Sequence, residues 1–225
     1  MTELDAPASR SLPPWWAIVL VAVAIAATGF AIGRFSAFDI APRTPSSDSA
    51  EAGFARDMQV HHAQAIDMAL TVYGKTEDDD LRALAYDIAT GQSEQKGVMY
   101  GWLQQWGLSQ IGDQPTMAWM TGSDAGHRHG GGADEPLTAE EIRLAMGMAS
   151  EAELQQLRAA TGQDADCLFL GLMIRHHEAA LPMAEAVLEL GSEPHVLATA
   201  ERMRDAQQFE IDAMQAMQQR LGCTP

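Results

Sequence analysis

The chain has 225 residues, a formal net charge of -17 and only two lysines, Lys75 and Lys96. Nucleic-acid-binding proteins need clustered Lys and Arg, so this composition argues against a nucleic-acid partner. The length suffices for one membrane anchor and one compact domain, and the 13 methionines are either flexible core residues or soft metal ligands.

An apolar segment, residues 15–33, follows a short N-terminal tail, residues 1–14. It contains no charged residue, and as a helix it is about 28 Å long, which matches a bilayer core of roughly 30 Å. Trp15 and Trp16 are typical of one membrane interface, and Arg34 bounds the other end. We therefore predict a single transmembrane helix that binds the lipid bilayer.

A cleaved signal peptide is the alternative interpretation of this segment. Such a peptide begins with a basic region, but here Arg10 is accompanied by Glu3 and Asp5, which favours a retained signal-anchor. Arg34 and Arg43 after the segment weakly place the C-terminal domain in the cytoplasm. The cysteine pair and the Met/His composition favour the opposite side. We expect a single-pass protein of the cell membrane with an extracytoplasmic domain.

Residues 34–50 form the predicted flexible tether, because residues 41–50 are rich in Pro, Ser and other small residues. The domain then spans residues 51–222. Its centre, residues 108–163, combines a glycine-rich loop with two short helices. Two capping boxes predict where these short helices begin, Thr138 with Glu141 and Ser150 with Glu153.

An internal repeat divides the domain. Residues 54–69 align with residues 169–184 at a constant offset of 115 residues, from position 54 to position 169, with Phe, Met, His-His, Ala and Met at matching places. Duplication of a supersecondary unit is the natural cause of such a match. Each copy has the apolar spacing of a helical hairpin, and the two hairpins span residues 51–107 and 164–222.

Glycine and proline mark the helix ends of each copy. Gly74 and Gly191 end the first helix of each hairpin, and Pro194 opens the last helix. Pro182 lies inside a predicted helix and predicts a kink there. Two hairpins of this length predict an all-α four-helix bundle preceded by one transmembrane helix.

Polar residues interrupt the apolar stripe of each first helix. His61 and His62 lie beside Met58, and the two rings diverge because adjacent helix positions differ by about 100°. The candidate metal ligands are the two histidine pairs and their flanking methionines: Met58, His61, His62, Met68, Met173, His176, His177 and Met183. Antiparallel folding predicts that each pair faces a Gln of the next helix, with a second shell of Gln92, Gln95, Met99, Gln207, Glu210 and Met214.

The identity of the metal follows from ligand softness. A buried histidine bonded to a glutamine is an ordinary polar pair, but packing does not demand adjacent histidines in both copies. Imidazole with thioether suits Cu(I), and imidazole also suits Cu(II) and zinc. A di-iron bundle needs Glu-x-x-His pairs and a zinc protease needs His-Glu-x-x-His, and the sequence contains neither.

The two cysteines mark opposite ends of the second hairpin. Cys167 begins its first helix and Cys223 ends its second helix. Antiparallel packing brings these ends together, so a disulfide between them is geometrically plausible.

Two segments resemble signatures of the domain of unknown function 305 family. They are residues 169–180, which contain the second His-His pair, and residues 207–214, which contain Gln207 and Glu210. The resemblance covers about residues 51 to 222 and implies a ferritin-like bundle, often exported, with copper binding in some members. The Gln-x-x-Glu pattern of the family is replaced in the first copy by Gln92 and Gln95, which implies an altered first half-site.

These observations lead to three functional hypotheses. We expect a non-enzymatic, copper-binding protein of the cell envelope that buffers the metal or passes it on, with zinc as the alternative metal. The alternative function is a structural or protein-interaction bundle with buried His-Gln pairs and no metal. A ferritin-like redox enzyme is least favoured, because di-iron carboxylates are missing and no nucleophile–base pair stands out.

Overall fold

The computed structural model describes residues 13–38, 44–124 and 138–223, so the predicted glycine-rich loop lies largely outside the described residues. All regular structure in these ranges is helical, which confirms the prediction of an all-α fold. The elements are α1 (Trp15–Phe38), α2 (Ala50–Tyr73), α3 (Asp79–Gln105), a 3-10 turn (Ala118–Met120), α4 (Ala139–Ala145), α5 (Glu151–Ala159), α6 (Gly162–Leu190) and α7 (Pro194–Leu221).

The chain divides into two units at Thr44, and α1 belongs to the first. Its residues Trp15–Arg34 are long and apolar enough to cross a membrane, with a mean hydropathy of 2.3. The helix continues to Phe38, so the first five residues of the predicted tether are helical. Residues 44–49 are not helical, and Ser49 caps α2 by accepting a hydrogen bond from the Ala52 backbone N–H.

The second unit contains two helical hairpins, α2 with α3 and α6 with α7, and α2 also packs against α6. Gly74 ends α2 as predicted, whereas α3 is capped by Asp78, whose carboxylate accepts a hydrogen bond from the Leu81 N–H at 2.9 Å. The helix α6 runs through Pro182 without a break. Buried Ala180 and Met183 on either side of this proline hold the helix against the core.

Two apolar clusters form the core of the bundle, and they occupy opposite ends of α2 and α6. Met58 belongs to the first cluster and Met68 to the second, and the first histidine pair lies between them on α2. On α6 the order is reversed, since Met173 belongs to the second cluster and Met183 to the first. The antiparallel arrangement therefore places both histidine pairs in one layer between two apolar clusters.

The crossover segment, which connects the first hairpin to the second, contains the short helices α4 and α5, and both begin at the predicted capping boxes. The helix α5 packs on α2 and α6. Arg175 of α6 donates two hydrogen bonds to Glu153 of α5, each 2.9 Å long. Lys75 donates to the carbonyls of Leu157 and Ala160 near the end of α5, each at 3.0 Å. These contacts tie the crossover segment to both hairpins.

Cys167 and Cys223 form a disulfide, with their Cα atoms 5.4 Å apart and a separation of 56 positions in the sequence. It joins the first part of α6 to the residues that follow α7. The covalent link therefore closes the second hairpin at its open end.

Removing this link lowers the stability of the second unit. In the Cys167→Ser, Cys223→Ser variant, the free energy of unfolding falls by about 4 kcal/mol, because the denatured chain is no longer constrained by a closed loop of this length. Urea unfolding followed by circular dichroism measures the change. Parent protein in reductant is the control and matches the variant; equal midpoints for oxidised parent and variant would contradict the account.

Candidate metal centre

The packing of α2 against α6 brings the two predicted histidine pairs into one cluster. His61, His62, His176 and His177 have no exposed surface. The rings of His61 and His176 lie face to face across the two helices, with centroids 3.6 Å apart and planes tilted by 31°. Within each pair the rings diverge, at 6.5 Å for His61 and His62 and 6.1 Å for His176 and His177.

Three of the four imidazoles are oriented by an acceptor oxygen at Nε2. His62 lies 2.7 Å from the amide oxygen of Gln95, and His177 lies 2.7 Å from a carboxylate oxygen of Glu210. These are matching positions of the predicted repeat. His61 Nε2 lies 3.0 Å from the backbone carbonyl of Met146. Since these oxygens accept, Nε2 is the donor in each ring, and a neutral ring of this kind carries its lone pair on Nδ1.

Those Nδ1 atoms have no partner among the residues that the structure describes. Nδ1 of His61, His62 and His177 is buried without a hydrogen bond, and both ring nitrogens of His176 are in the same situation. A buried acceptor without a partner costs about 1–3 kcal/mol, so most native interiors avoid it. Four imidazoles therefore present unused lone pairs inside one layer of the bundle, which is the state that a metal ligand requires.

Burial also keeps these rings in the form that binds metal. It lowers the pKa of His61 to about 3, with the neighbouring His62 contributing in the same direction. Burial lowers the pKa of His62 to about 4, although the hydrogen bond with Gln95 opposes the shift. Burial and the adjacent imidazoles hold the pKa of His176 well below its ordinary value. These three rings are neutral at physiological pH, so a metal does not have to displace protons from them.

Thioethers border the histidine layer on both helices. Met58 lies three and four residues before the first pair, and Met173 stands in the same relation to the second pair. Residues three or four apart on a helix are neighbours, with Cβ atoms about 5–6 Å apart. The predicted methionines at these and the more distant positions are all fully buried: Met58, Met68, Met99, Met173, Met183 and Met214.

The described parts of the chain contain no group of three or more His, Cys, Asp or Glu residues that could hold a metal ion. A metal centre here therefore needs thioether sulfur beside imidazole. That donor set is soft and suits copper better than zinc or iron.

Two contacts of the histidine layer differ from the predicted second shell. Gln92 was expected to face the first histidine pair, but its Nε2 lies 3.5 Å from Nε2 of His177 in the other hairpin. The cause is the contact between α2 and α6, which brings α3 near α6. The Met146 carbonyl was not predicted to contact His61, because residue 146 lies outside both repeats. A sequence pattern does not predict which backbone carbonyl will contact a distant side chain. The capping box at Ser150 does, however, lie close to Met146, which supplies this carbonyl.

Comparison with known proteins places this chain and its fold in a family. The sequence model of the domain of unknown function DUF305 matches residues 51–218. A DUF305 protein from Streptomyces coelicolor has a crystal structure with 35% sequence identity and a TM-score of 0.68, covering 80% of this chain and 98% of that chain. No curated protein sequence matches this one.

Two structures of the protein CopM are also similar. CopM in the Cu(I)-bound form shows 25% identity and a TM-score of 0.53, covering 76% of this chain and 96% of that chain. CopM in the Cu(II)-bound form shows 26% identity and a TM-score of 0.55, covering 76% of this chain and 97% of that chain.

The buried histidines make the metal-free protein sensitive to acid. The ordinary pKa of a histidine is 6.5, and above that pH the His62 ring is neutral in both the folded and the unfolded state. Below that pH the unfolded chain takes up a proton that the folded ring resists until about pH 4. The free energy of unfolding therefore falls by about 1.4 kcal/mol per pH unit for each such ring.

Urea unfolding at a series of pH values, with chelator present, measures this dependence. The His62→Gln variant, which can still donate to Gln95, has a slope lower by about 1.4 kcal/mol per pH unit between pH 6 and pH 5. The matched control is His195→Gln, because His195 is exposed at the start of α7 whereas His62 is buried. Equal slopes for His62→Gln and parent would contradict the assignment of a depressed pKa.

Proposed function

This chain belongs to the DUF305 family, and from its buried histidine layer we propose that it is a copper-binding protein of the cell envelope, anchored in the membrane by α1. The role is non-enzymatic: the domain buffers copper or passes it to another carrier. One observation carries the proposal, namely the unpartnered Nδ1 atoms of three histidines whose Nε2 atoms are already held by oxygen.

The donor chemistry supports copper as the metal. Met58 and Met173 border the imidazoles, and thioether with imidazole matches the preference of Cu(I), while imidazole alone also accommodates Cu(II). Solved structures of the similar protein CopM contain Cu(I) or Cu(II), which supports the same metal here. Zinc is the alternative metal, but it gains little from thioether ligands and at this site would depend on the imidazoles alone.

The proposed location rests on α1 and on the disulfide. The apolar segment Trp15–Arg34 has the length of a membrane span and is proposed as a retained anchor. A disulfide between Cys167 and Cys223 is typical of proteins outside the reducing cytosol, which supports an extracytoplasmic domain. A net charge of -17 raises the local concentration of cations near such a domain.

A structural role is the second candidate function, and the bonds at Nε2 favour it. His62 with Gln95 and His177 with Glu210 are satisfied polar pairs that could fix the register of each hairpin without any metal. This role accounts for Nε2 but leaves the buried Nδ1 atoms unexplained. The two candidates therefore differ in whether the layer binds copper with both imidazole and sulfur.

Removing one histidine pair tests the copper centre. The full-length protein in detergent is titrated anaerobically with Cu(I) against a chromophoric chelator, and the parent binds tightly. The variant His176→Ala, His177→Ala binds about a hundredfold more weakly or worse, since each lost ligand lowers the affinity roughly tenfold. His195→Ala removes an exposed histidine and is the matched control. If the double variant binds Cu(I) as tightly as the parent does, the proposal is wrong.

Removing sulfur tests the soft character of the centre. The Met58→Leu, Met173→Leu variant conserves volume, so its stability changes by less than about 3 kcal/mol for the two sites together. Its affinity for Cu(I) falls by about tenfold or more while its affinity for zinc stays the same. Met203→Leu is the control, because Met203 is equally buried on α7. A parallel loss of affinity for both metals would instead indicate a general disturbance of packing.

A further inference from the structure

The histidine layer has no direct opening to solvent, because all four imidazoles are fully buried. A metal that reaches the layer must pass through one wall of the bundle. A cavity of about 380 Å³ lies against one such wall, beside α2 and α4, and its lining includes Asp57, Ile142, Met146 and Met148. Its lining is mostly apolar, and it contains two thioethers that belong to neither copy of the predicted repeat.

Met146 separates this cavity from the histidine layer. It lines the cavity, and its backbone carbonyl accepts the hydrogen bond from Nε2 of His61 at 3.0 Å. One residue therefore touches both the cavity and the first imidazole of the layer.

The two methionines are held in place by the backbone around them. Gln64 of α2 accepts a hydrogen bond from the Ala149 N–H at 2.6 Å and donates one to the Ala149 carbonyl at 2.8 Å. Gly147 has a φ of +70° and lies so close to α6 that a Cβ there would be 2.5 Å from the Ala179 Cβ. Only glycine fits that position without strain, so Met146 and Met148 flank a fixed turn.

The charges that line the cavity do not explain a preference for cations. Asp57 accepts hydrogen bonds from the Met117 N–H and the Trp119 ring N–H at 2.8 Å each, and Arg143 also lines the cavity, so the lining carries charges of both signs. Capture of a cation in this cavity would therefore depend on sulfur. Thioethers are soft and select Cu(I) over the hard cations of the surroundings.

From these observations we infer that Met146 and Met148 form an access site for Cu(I), from which the metal passes to His61. The inference rests on the proposed copper-binding function. Transfer is a ligand exchange in which a thioether–copper bond breaks as an imidazole–copper bond forms, and the oxidation state of the metal does not change. The access site thus governs the rate of loading, while the histidine layer governs the affinity.

Loading kinetics test this division. Cu(I) bound to bicinchoninate is mixed anaerobically with the full-length protein in detergent, and the loss of the chelator colour is followed by stopped flow. The Met146→Leu, Met148→Leu variant loads about tenfold more slowly than the parent, a typical range for changes in association rate, and keeps the equilibrium affinity of the parent. The matched control is Met120→Leu with Met203→Leu, two buried methionines of the same apolar cluster, and it loads at the parental rate.

A second set of variants tests the access site in a protein whose histidine layer is incomplete. In the His176→Ala, His177→Ala background, Met58→Leu and Met173→Leu also remove the sulfur donors of the layer. This variant retains weak Cu(I) binding with sulfur neighbours in the X-ray absorption spectrum, and adding Met146→Leu and Met148→Leu abolishes that signal. If the Met146→Leu, Met148→Leu variant and its control load at equal rates and bind Cu(I) with normal affinity, the access site is wrong and the proposed function still stands. Absence of Cu(I) binding by the parent would instead overturn the proposed function.

Discussion

The contact between α2 and α6 is the constraint on which the rest of the site depends. It stacks His61 on His176 and places four imidazoles in one layer between two apolar clusters. Burial at that depth would be costly for charged rings, and the low pKa values of His61 and His62 show that the fold keeps them neutral. At least three of the four ligands of the layer, His61, His62 and His176, are therefore uncharged inside a protein whose net charge is strongly negative.

The environment of the layer holds three of the four rings, those of His61, His62 and His177, by Nε2 and leaves their Nδ1 atoms unused. Gln95 accepts a hydrogen bond from Nε2 of His62, and Glu210 accepts one from Nε2 of His177, at 2.7 Å in both hairpins. The Gln95 amide is neutral, whereas the Glu210 carboxyl is ionisable. A carboxylate bound to the outer nitrogen of an imidazole makes the ring a stronger electron donor than an amide does. The two histidine pairs are thus chemically unequal, so the half of the layer near His177 is the better ligand for a metal.

Much of this arrangement follows from local patterns in the sequence. Glycine and capping residues predict the helix ends, helical spacing predicts which face carries His61 and Met58, and antiparallel folding predicts that Gln95 and Glu210 lie near the histidines. Contacts between distant segments could not be predicted in this way. The stack of His61 on His176 and the contact with Met146 depend on how whole hairpins pack, and spacing along one helix contains no information about that packing.

Metal content after native purification tests the central claim most directly. The full-length protein and its His176→Ala, His177→Ala variant are isolated from membranes under anaerobic conditions without added metal, and both are analysed by inductively coupled plasma mass spectrometry. The account predicts about one copper ion per parent chain and a clear loss of copper from the variant. Zinc in place of copper, or equal copper in both proteins, would contradict it.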